Sequence, residues 1–355
     1  MRLLVTGGSG FLGGYVLAEA ARRGHSCVAL ARSAEAARTV AARGATPLPG
    51  DLDDAADLPG IFAKAECEAL VNLASLGFGH APGIVRAAER SLDRAVFVST
   101  TAVTTTLPAQ SKVVRLAAEN EIRSSDLSWT ILRPTMIYGA AGDRNLSRLL
   151  AILARLRGLP MPLVVPVPGG GRQLQQPVHV ADLAGAVLTA VERPQSAHRR
   201  YDVAGPEPVT FADVLHGSAT AVGRRIQLMP VPLAPVIALT QGYERLSPRP
   251  RIRVEQWQRL AEDKAFPIDA AALDLDYAPR PFAEGIRAEA AALGLTPSSP
   301  TSPPACSPPA FPSSAASLPL SRPSTPIRRL HAQLHQEPQA PRASSERTVV
   351  VPGGR

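Results

Sequence analysis

Gly7, Gly10 and Gly13 recur at three-residue spacing, directly after the apolar run Arg2-Leu3-Leu4-Val5-Thr6 and at the head of a helical pattern through Phe11, Leu12, Tyr15 and Val16. A strand that turns on glycines into a helix points the helix's unpaired amide N–H groups at whatever lies beyond the strand, a ready site for a dinucleotide diphosphate. Gly7 can take the positive φ of the turn. Gly10 lets backbone approach a phosphate with no Cβ between them, and Gly13 lets the helix pack close to the strand. Ser9, Phe11 and Leu12 complete the loop. A glycine turn with a purely structural role is the competing reading; the flanking strand and helix argue for the dinucleotide.

The end of the second expected strand, Ala29-Leu30-Ala31-Arg32-Ser33, lies where an adenosine ribose would sit. An acid there would hold both ribose hydroxyls and repel a 2′-phosphate. Arg32 instead offers a planar donor fork and Ser33 a hydroxyl, which favours NADP(H), with NAD(H) as the alternative. Asp51 follows the third strand, where it could hold an adenine amino group with Leu52 packed on the ring, or could cap the next helix.

These residues need a scaffold, and the pattern supplies one. Apolar runs at Ser26–Ala31, Thr46–Leu48, Ala69–Leu73, Ala95–Ser99 and Trp129–Leu132 alternate with helical stretches at Ala34–Ala42, Leu58–Lys64, Ile84–Ser91 and Ser111–Ser124. Near-continuous apolar strands between helices predict an α/β fold, a doubly wound parallel sheet of Rossmann type with ligand at its carboxyl edge. Residues 1–135 form the expected dinucleotide-binding core. Residues 136–296 form a small substrate lobe interleaved with the last strands, helical at Leu146–Arg157, Val180–Glu192, Phe211–Val222 and Arg253–Asp263. From Pro297 the chain becomes rich in Pro and Ser, too poor in bulky apolar residues to offset ordering entropy, and residues 297–355 are expected to be disordered.

Composition excludes several classes. Half of the formal net charge of +8 belongs to that tail, where six arginines face two glutamates, so the body is only mildly basic and carries no basic patch interleaved with aromatics. A nucleic-acid partner is not expected. Cys27, Cys67 and Cys306 lack paired spacing or a histidine cluster, so neither a disulfide framework nor a metal site is indicated, which suits a reducing cytoplasm. The apolar stretch Ile226–Leu239 is broken by Pro230, Pro232 and Pro235 and is too short to span a bilayer; no membrane partner is expected.

In order and spacing, these residues resemble the short-chain dehydrogenase/reductase superfamily, specifically its extended and atypical branch of NAD-dependent epimerases and dehydratases. The resemblance covers about Met1 to Leu295. It rests on Thr6–Gly13, Gly50-Asp51-Leu52, Asn72-Leu73-Ala74, Val98–Val103, Leu132–Gly139, Val178–Ala184 and Ala204–Glu207. It implies an NAD(P)-dependent oxidoreductase or nucleotide-sugar epimerase-like enzyme acting on a small molecule. It also implies Leu73 and Ala74 beside the cofactor, and dimerisation through the helices after the fourth and fifth strands.

Two departures qualify the resemblance. Family enzymes carry Tyr-x-x-x-Lys; here Lys112 occupies the lysine position, but Pro108 stands where the tyrosine would be, with no ionisable group. Ser99, Thr100 and Thr101 supply hydroxyls whose pKa values are too high for proton transfer near neutrality. Lys112 can still clamp the nicotinamide ribose, Tyr138 can replace the missing acid, or a water chain through Thr100 can relay protons. The alternative is a catalytically silent NADP(H)-binding sensor or assembly protein. Second, Gln175-Gln176-Pro177 replaces the arginine-bearing stretch before Val178-His179-Val180, leaving Arg144 and Arg172 in nearby loops to meet the diphosphate of a nucleoside-diphosphate sugar. His179 is expected to be structural, and Asp182 to cap a helix beginning at Leu183.

Overall fold

The computed structural model describes residues 1–297 apart from 141, 144, 248–253 and 255–261. Arg144, most of the helix expected over Arg253–Asp263, and the Pro/Ser-rich stretch beyond Pro297 fall outside the described residues.

Strands β1 (Arg2–Thr6), β2 (Ser26–Ala31), β3 (Thr46–Pro49), β4 (Ala69–Asn72), β5 (Arg94–Val98) and β6 (Ser128–Pro134) form the central sheet. Four pieces follow in the second lobe: β7 (Ile137–Tyr138), β8 (Leu163–Pro168), β9 (Leu174–Gln175) and β10 (Val178–His179). The chain then returns to the sheet as β11 (Arg199–Val203) and ends its strands with β12 (Val209–Thr210) and β13 (Ile226–Val231). The sheet order is β11-β6-β5-β4-β1-β2-β3, with every neighbouring pair parallel. Strand order reverses between β1 and β4, and ligands of doubly wound sheets bind in the crevice at such a switch point.

Period-two alternation divides each strand between two cores. Leu3, Val5, Val71, Val96 and Leu132 face helices α1 (Phe11–Arg22) and, later in the chain, Val180–Glu192. Leu4, Leu70, Phe97 and Ile131 face the opposite layer, where α3 (Leu58–Ala65), α4 (Ala81–Glu89) and α5 (Gln110–Arg123) bury Phe62, Ile84 and Ile122; α2 (Ala34–Ala42) lies on the α1 side, where its Val40 joins the first core. Covered on both faces, the strands carry the unbroken apolar character that made them recognisable.

The second lobe has its own core, with Tyr138, Leu146, Leu150, Val214, Phe282 and Ile286 at its centre. That core is built by α6 (Leu146–Arg155), α8 (Phe211–Ala221) and the helix Phe282–Ala292, whereas α7 (Val180–Glu192) covers the central sheet and α9 (Leu233–Leu246) follows β13 outside these cores. The apolar stretch from Ile226 divides between β13, which pairs in parallel with β8, and the start of α9. No helix among the described residues is long and apolar enough to cross a membrane. Both lobes belong to one compact unit, Met1–Ser298.

One local expectation is corrected. Helix α7 begins at Val180, and its N-cap is His179, whose Nδ1 accepts the Ala181 N–H at 3.2 Å. Asp182 therefore lies inside the first turn. Its carboxylate pairs with Arg280, taking a backbone and two guanidinium nitrogens at 2.7–3.0 Å.

Candidate active site

The loop after β1 folds as a diphosphate cradle. Gly7 sits at φ +72°, where a side chain would be strained and a Cβ would meet Leu73 C and Ala74 N at 3.0 Å. The Gly10 N–H closes the turn onto Gly7 O at 3.0 Å. A Cβ on Gly13 would overlap Gly7 O and stand 2.5 Å from Gly8 O, so the helix can approach the loop only with glycine there. Helix α1 starts with Gly10 as N-cap, no side-chain cap and no acid in its first turn. Its leading N–H groups are thus left for an external acceptor, and the helix dipole favours a negative one. Bare amides and a cradle that any Cβ would fill fit a dinucleotide diphosphate.

Neighbouring loops complete this edge. Thr6 Oγ1 donates to Asn72 Oδ1 at 2.6 Å, and Asn72 Nδ2 donates to Ala74 O at 3.1 Å, tying β1 to the turn after β4 and placing Leu73 and Ala74 against Gly7. Ser33 Oγ accepts the Ala36 N–H as the cap of α2, and exposed Arg32 precedes it. Asp51 Oδ1 accepts the Asp53 N–H at 3.2 Å, closing a turn well before α3, whose N-cap is Asp57. The structure thereby removes the helix-cap reading of Asp51. Leu52 packs, half-buried, at the margin of the second core.

Beyond the ends of β5 and β6 lies a cavity of about 520 Å³, lined on one side by Thr100, Thr101, Thr104, Thr105 and Thr106 and elsewhere by Asn145 and the segment Glu262–Phe266. Most of the threonine hydroxyls are committed: Thr101 to Pro134 O, Thr104 to Thr101 O, and Thr105 and Thr106 to the Glu262 carboxylate. Thr100 differs. Its Oγ1 accepts the Ala102 N–H, and its own hydrogen goes to no acceptor among the described residues. Lys112, in the first turn of α5, donates Nζ to Thr105 O at 2.5 Å, which places it behind the same loop. Burial pushes the Glu262 carboxyl up, but hydrogen bonds from Thr105 and Thr106 outweigh it and hold the group below the usual range. Glu262 is therefore an anion that fastens the far wall to the threonine row and has no proton to give.

Beneath this row runs a buried ion pair. Arg133 on β6 donates Nε to Glu119 Oε1 at 2.9 Å and Nη2 to Oε2, while Ser99 Oγ donates to Oε1 at 2.6 Å. Ser99 is thus spent on fixing α5 to the ends of β5 and β6. The helix that carries Lys112 is held in register by it.

The structure does not bring Tyr138 to the cavity. Its ring is fully buried between His179 and Phe282, centroids 5.4 and 5.5 Å away, and its hydroxyl rests on Gly285, where any Cβ would collide with it. Burial, reinforced by Asp182, drives its pKa well above the ordinary phenol value. Burial likewise takes His179 down to about 4, so it stays a neutral cap near pH 7. Both are packing residues. Arg172 is exposed just after the Gly169–Gly171 turn and is not among the cavity's lining residues.

Near Tyr138, fully buried Glu289 faces the Asp143 carboxyl. Neither Glu289 oxygen meets a donor from another side chain, so burial beside a second carboxyl favours the protonated form of Glu289. Burial and the Asp143 carboxyl push Glu289 up to about 9, against the pull of the Gly139 N–H. The folded protein then holds a proton that the unfolded chain releases near pH 4.5. Stability should fall as pH rises between those values, by up to about 1.4 kcal/mol per unit, and level off above. Urea melts from pH 5 to 9 should show that slope, and E289Q should flatten it. An unchanged slope in the variant contradicts a raised Glu289.

Residues 7–148 match the NAD(P)H-binding family profile and residues 109–204 the NAD dependent epimerase/dehydratase family, together more than half of the chain. A 4-hydroxy-2-methyl-3-oxo-4-farnesyl-3,4-dihydroquinoline-1-oxide ketoreductase of Stigmatella aurantiaca is 30% identical over 228 residues, 54% of this chain and 65% of the relative. The chain thus spans a little under two thirds of that protein's length. An NAD(P)H azoreductase of Xenophilus azovorans is 24% identical over 233 residues, 65% of this chain and 77% of the relative. Among solved structures, the UDP-glucose 4-epimerase of Thermus thermophilus, in complex with NAD, superposes with a TM-score of 0.62 at 23% identity, over 83% of this chain and 99% of that one, and shares the fold. The chain carries an NAD(P)H-binding domain and, overlapping its end, a segment of the NAD dependent epimerase/dehydratase family, and it shares the fold of the epimerase structure.

Proposed function

We propose that the protein is an NADP(H)-dependent oxidoreductase acting in the cytoplasm on a small molecule held in the threonine-lined cavity. The observation that carries this reading is that cavity's place at the carboxyl edge of the sheet, with Thr100 as its one threonine whose hydroxyl hydrogen is uncommitted among the described residues. Gly7, Ser9, Gly10, Phe11, Leu12 and Gly13 hold the diphosphate, Leu73 and Ala74 flank it, and Asp51 and Leu52 take the adenine. Arg32 meets the 2′-phosphate. Once bound, the nicotinamide supplies or accepts the hydride. Lys112 orients the nicotinamide ribose, and Thr100 holds the substrate oxygen.

Pro108 leaves no phenol at the usual place, so protons must reach the substrate oxygen through water ordered on Thr100. The named reductase relatives support an acceptor of this kind. A nucleoside-diphosphate sugar is the weaker substrate class, because Arg172 does not line the cavity. Free Cys27 and Cys67, one buried and one half-buried, suit a reducing compartment.

A second reading, a catalytically silent NADP(H)-binding sensor or assembly protein, is favoured by Pro108 alone. NADPH oxidation with ketone, quinone and azo acceptors separates the two. Turnover that falls about 100-fold in T100V with NADPH affinity unchanged is the expected result; tight NADPH binding with no turnover on any acceptor supports the silent reading instead.

A further inference from the structure

Arg43 follows α2, far from every residue that the glycine motif names, yet its side chain reaches back to the phosphate loop. Nη1 donates to Gly8 O at 2.6 Å and to Gly10 O at 2.9 Å. The guanidinium lies over Gly14, where a Cβ would stand 3.1 Å from Cζ. Two carbonyls therefore occupy both hydrogens of one nitrogen. The Nε hydrogen and the two on Nη2 have no acceptor among the described residues, and no carboxylate there pairs with the charge.

A half-buried cation without a counter-ion is costly unless something else completes the site. Its surroundings add to that cost: the positive end of the α1 dipole lies beside it, no acid stands in that helix's first turn, and the guanidinium is already partly desolvated. The carbonyls fix the plane of the fork and leave one edge, Nε with Nη2, presented for bidentate contact. That edge suits two oxygens of a tetrahedral phosphate monoester better than a single carbonyl or hydroxyl.

We propose that Arg43 is a second guanidinium of the 2′-phosphate site, braced on the glycine loop from the C-terminal end of α2 and acting with Arg32, which precedes the N-cap of the same helix. The proposal rests on the NADP(H) preference read from Arg32 and adds a residue to it. Arg43 also couples the two halves of cofactor recognition, because the fork that takes the monoester is anchored on the carbonyls of the loop whose amides take the diphosphate.

The test is a set of binding titrations on the full chain, reading dissociation constants by calorimetry for NADPH, NADH, 2′,5′-ADP and 5′-AMP. R43Q is expected to weaken NADPH and 2′,5′-ADP about 10- to 100-fold, the range for charge-assisted hydrogen bonds, and to change NADH and 5′-AMP less than about 3-fold. R43K should recover part of the loss through its charge, but not all of it, because an ammonium has no fork. Equal weakening of phosphorylated and unphosphorylated ligands would mean that Arg43 only braces the loop, and overturns the proposal. An unaltered protein that binds NADPH no better than NADH removes the NADP(H) reading itself, whereas an NADPH preference that survives R43Q removes only the role of Arg43. R32Q, measured in parallel, should lower the same phosphate-dependent ratio.

Discussion

Replacing Glu119 with alanine is expected to destabilise the protein by about 3–5 kcal/mol, the range for removing one member of a buried ion pair. The Arg133 guanidinium is 8% exposed and the Glu119 carboxylate 3%, so neither can turn to water once its partner is gone. Deleting the carboxylate strands a full charge between β6 and α5, and it also removes the acceptor of Ser99 Oγ. In a domain of this size such a loss lowers the melting temperature by about 10 °C. The double variant E119L/R133M, which leaves no charge behind, should recover much of it. Thermal melts of the three proteins check this; an E119A loss below about 1 kcal/mol contradicts the role given to the pair. Because α5 carries Lys112 toward the Thr105 carbonyl, the single variant should also weaken cofactor binding more than the double one.

The second large effect concerns the glycine loop. Gly13→Val is expected to abolish dinucleotide binding, at least 100-fold in dissociation constant. The new side chain must begin inside the van der Waals shell of the Gly7 and Gly8 carbonyls, both backbone atoms that cannot swing aside. Helix α1 must then retreat from β1, and the N–H groups of its first turn no longer converge on one point. Circular dichroism should report a folded protein, since the second core and the part of the first that α7 covers do not depend on α1. A folded G13V protein that binds NADPH like the unaltered chain contradicts this reading of the cradle.

How much of this was legible in the sequence depends on how local each feature is. The strands of the sheet are covered on both faces, so each reads as a short apolar run, and the glycine loop is set by seven consecutive residues. Both could be recognised without tertiary information. The second lobe was harder to read. Strands β8 (Leu-Val-Val-Pro-Val-Pro) and β13 (Ile-Gln-Leu-Met-Pro-Val) contain prolines that argue against strands, and they pair only with each other at an exposed edge.

The site divides in the same way. Lys112 and Thr100 stand at motif positions. Glu262, in contrast, reaches Thr105 across 157 residues, and Arg133 meets Glu119 only because β6 and α5 are packed side by side. Arg43 carried a faint signal, a lone arginine at a helix end before glycine, but nothing local says that it turns toward Gly8. Tyr138 failed as a catalytic candidate for a definite reason: its position after a strand was correct, yet Gly285 and Phe282, more than 140 residues on, enclose it. Asp182 lies inside the first turn because the preceding histidine, an uncommon helix cap, accepts the capping hydrogen bond at His179 Nδ1.

The claim on which everything else stands is that the bare amides at the start of α1 grip a dinucleotide diphosphate. Calorimetric titration of the intact chain with NADPH and NADH, repeated on G10D, tests it most directly. The account predicts saturable one-to-one binding, tighter for NADPH, and its loss when the introduced carboxylate occupies the phosphate position. No heat from the unaltered chain with any pyridine nucleotide, or equal binding by G10D, would contradict it.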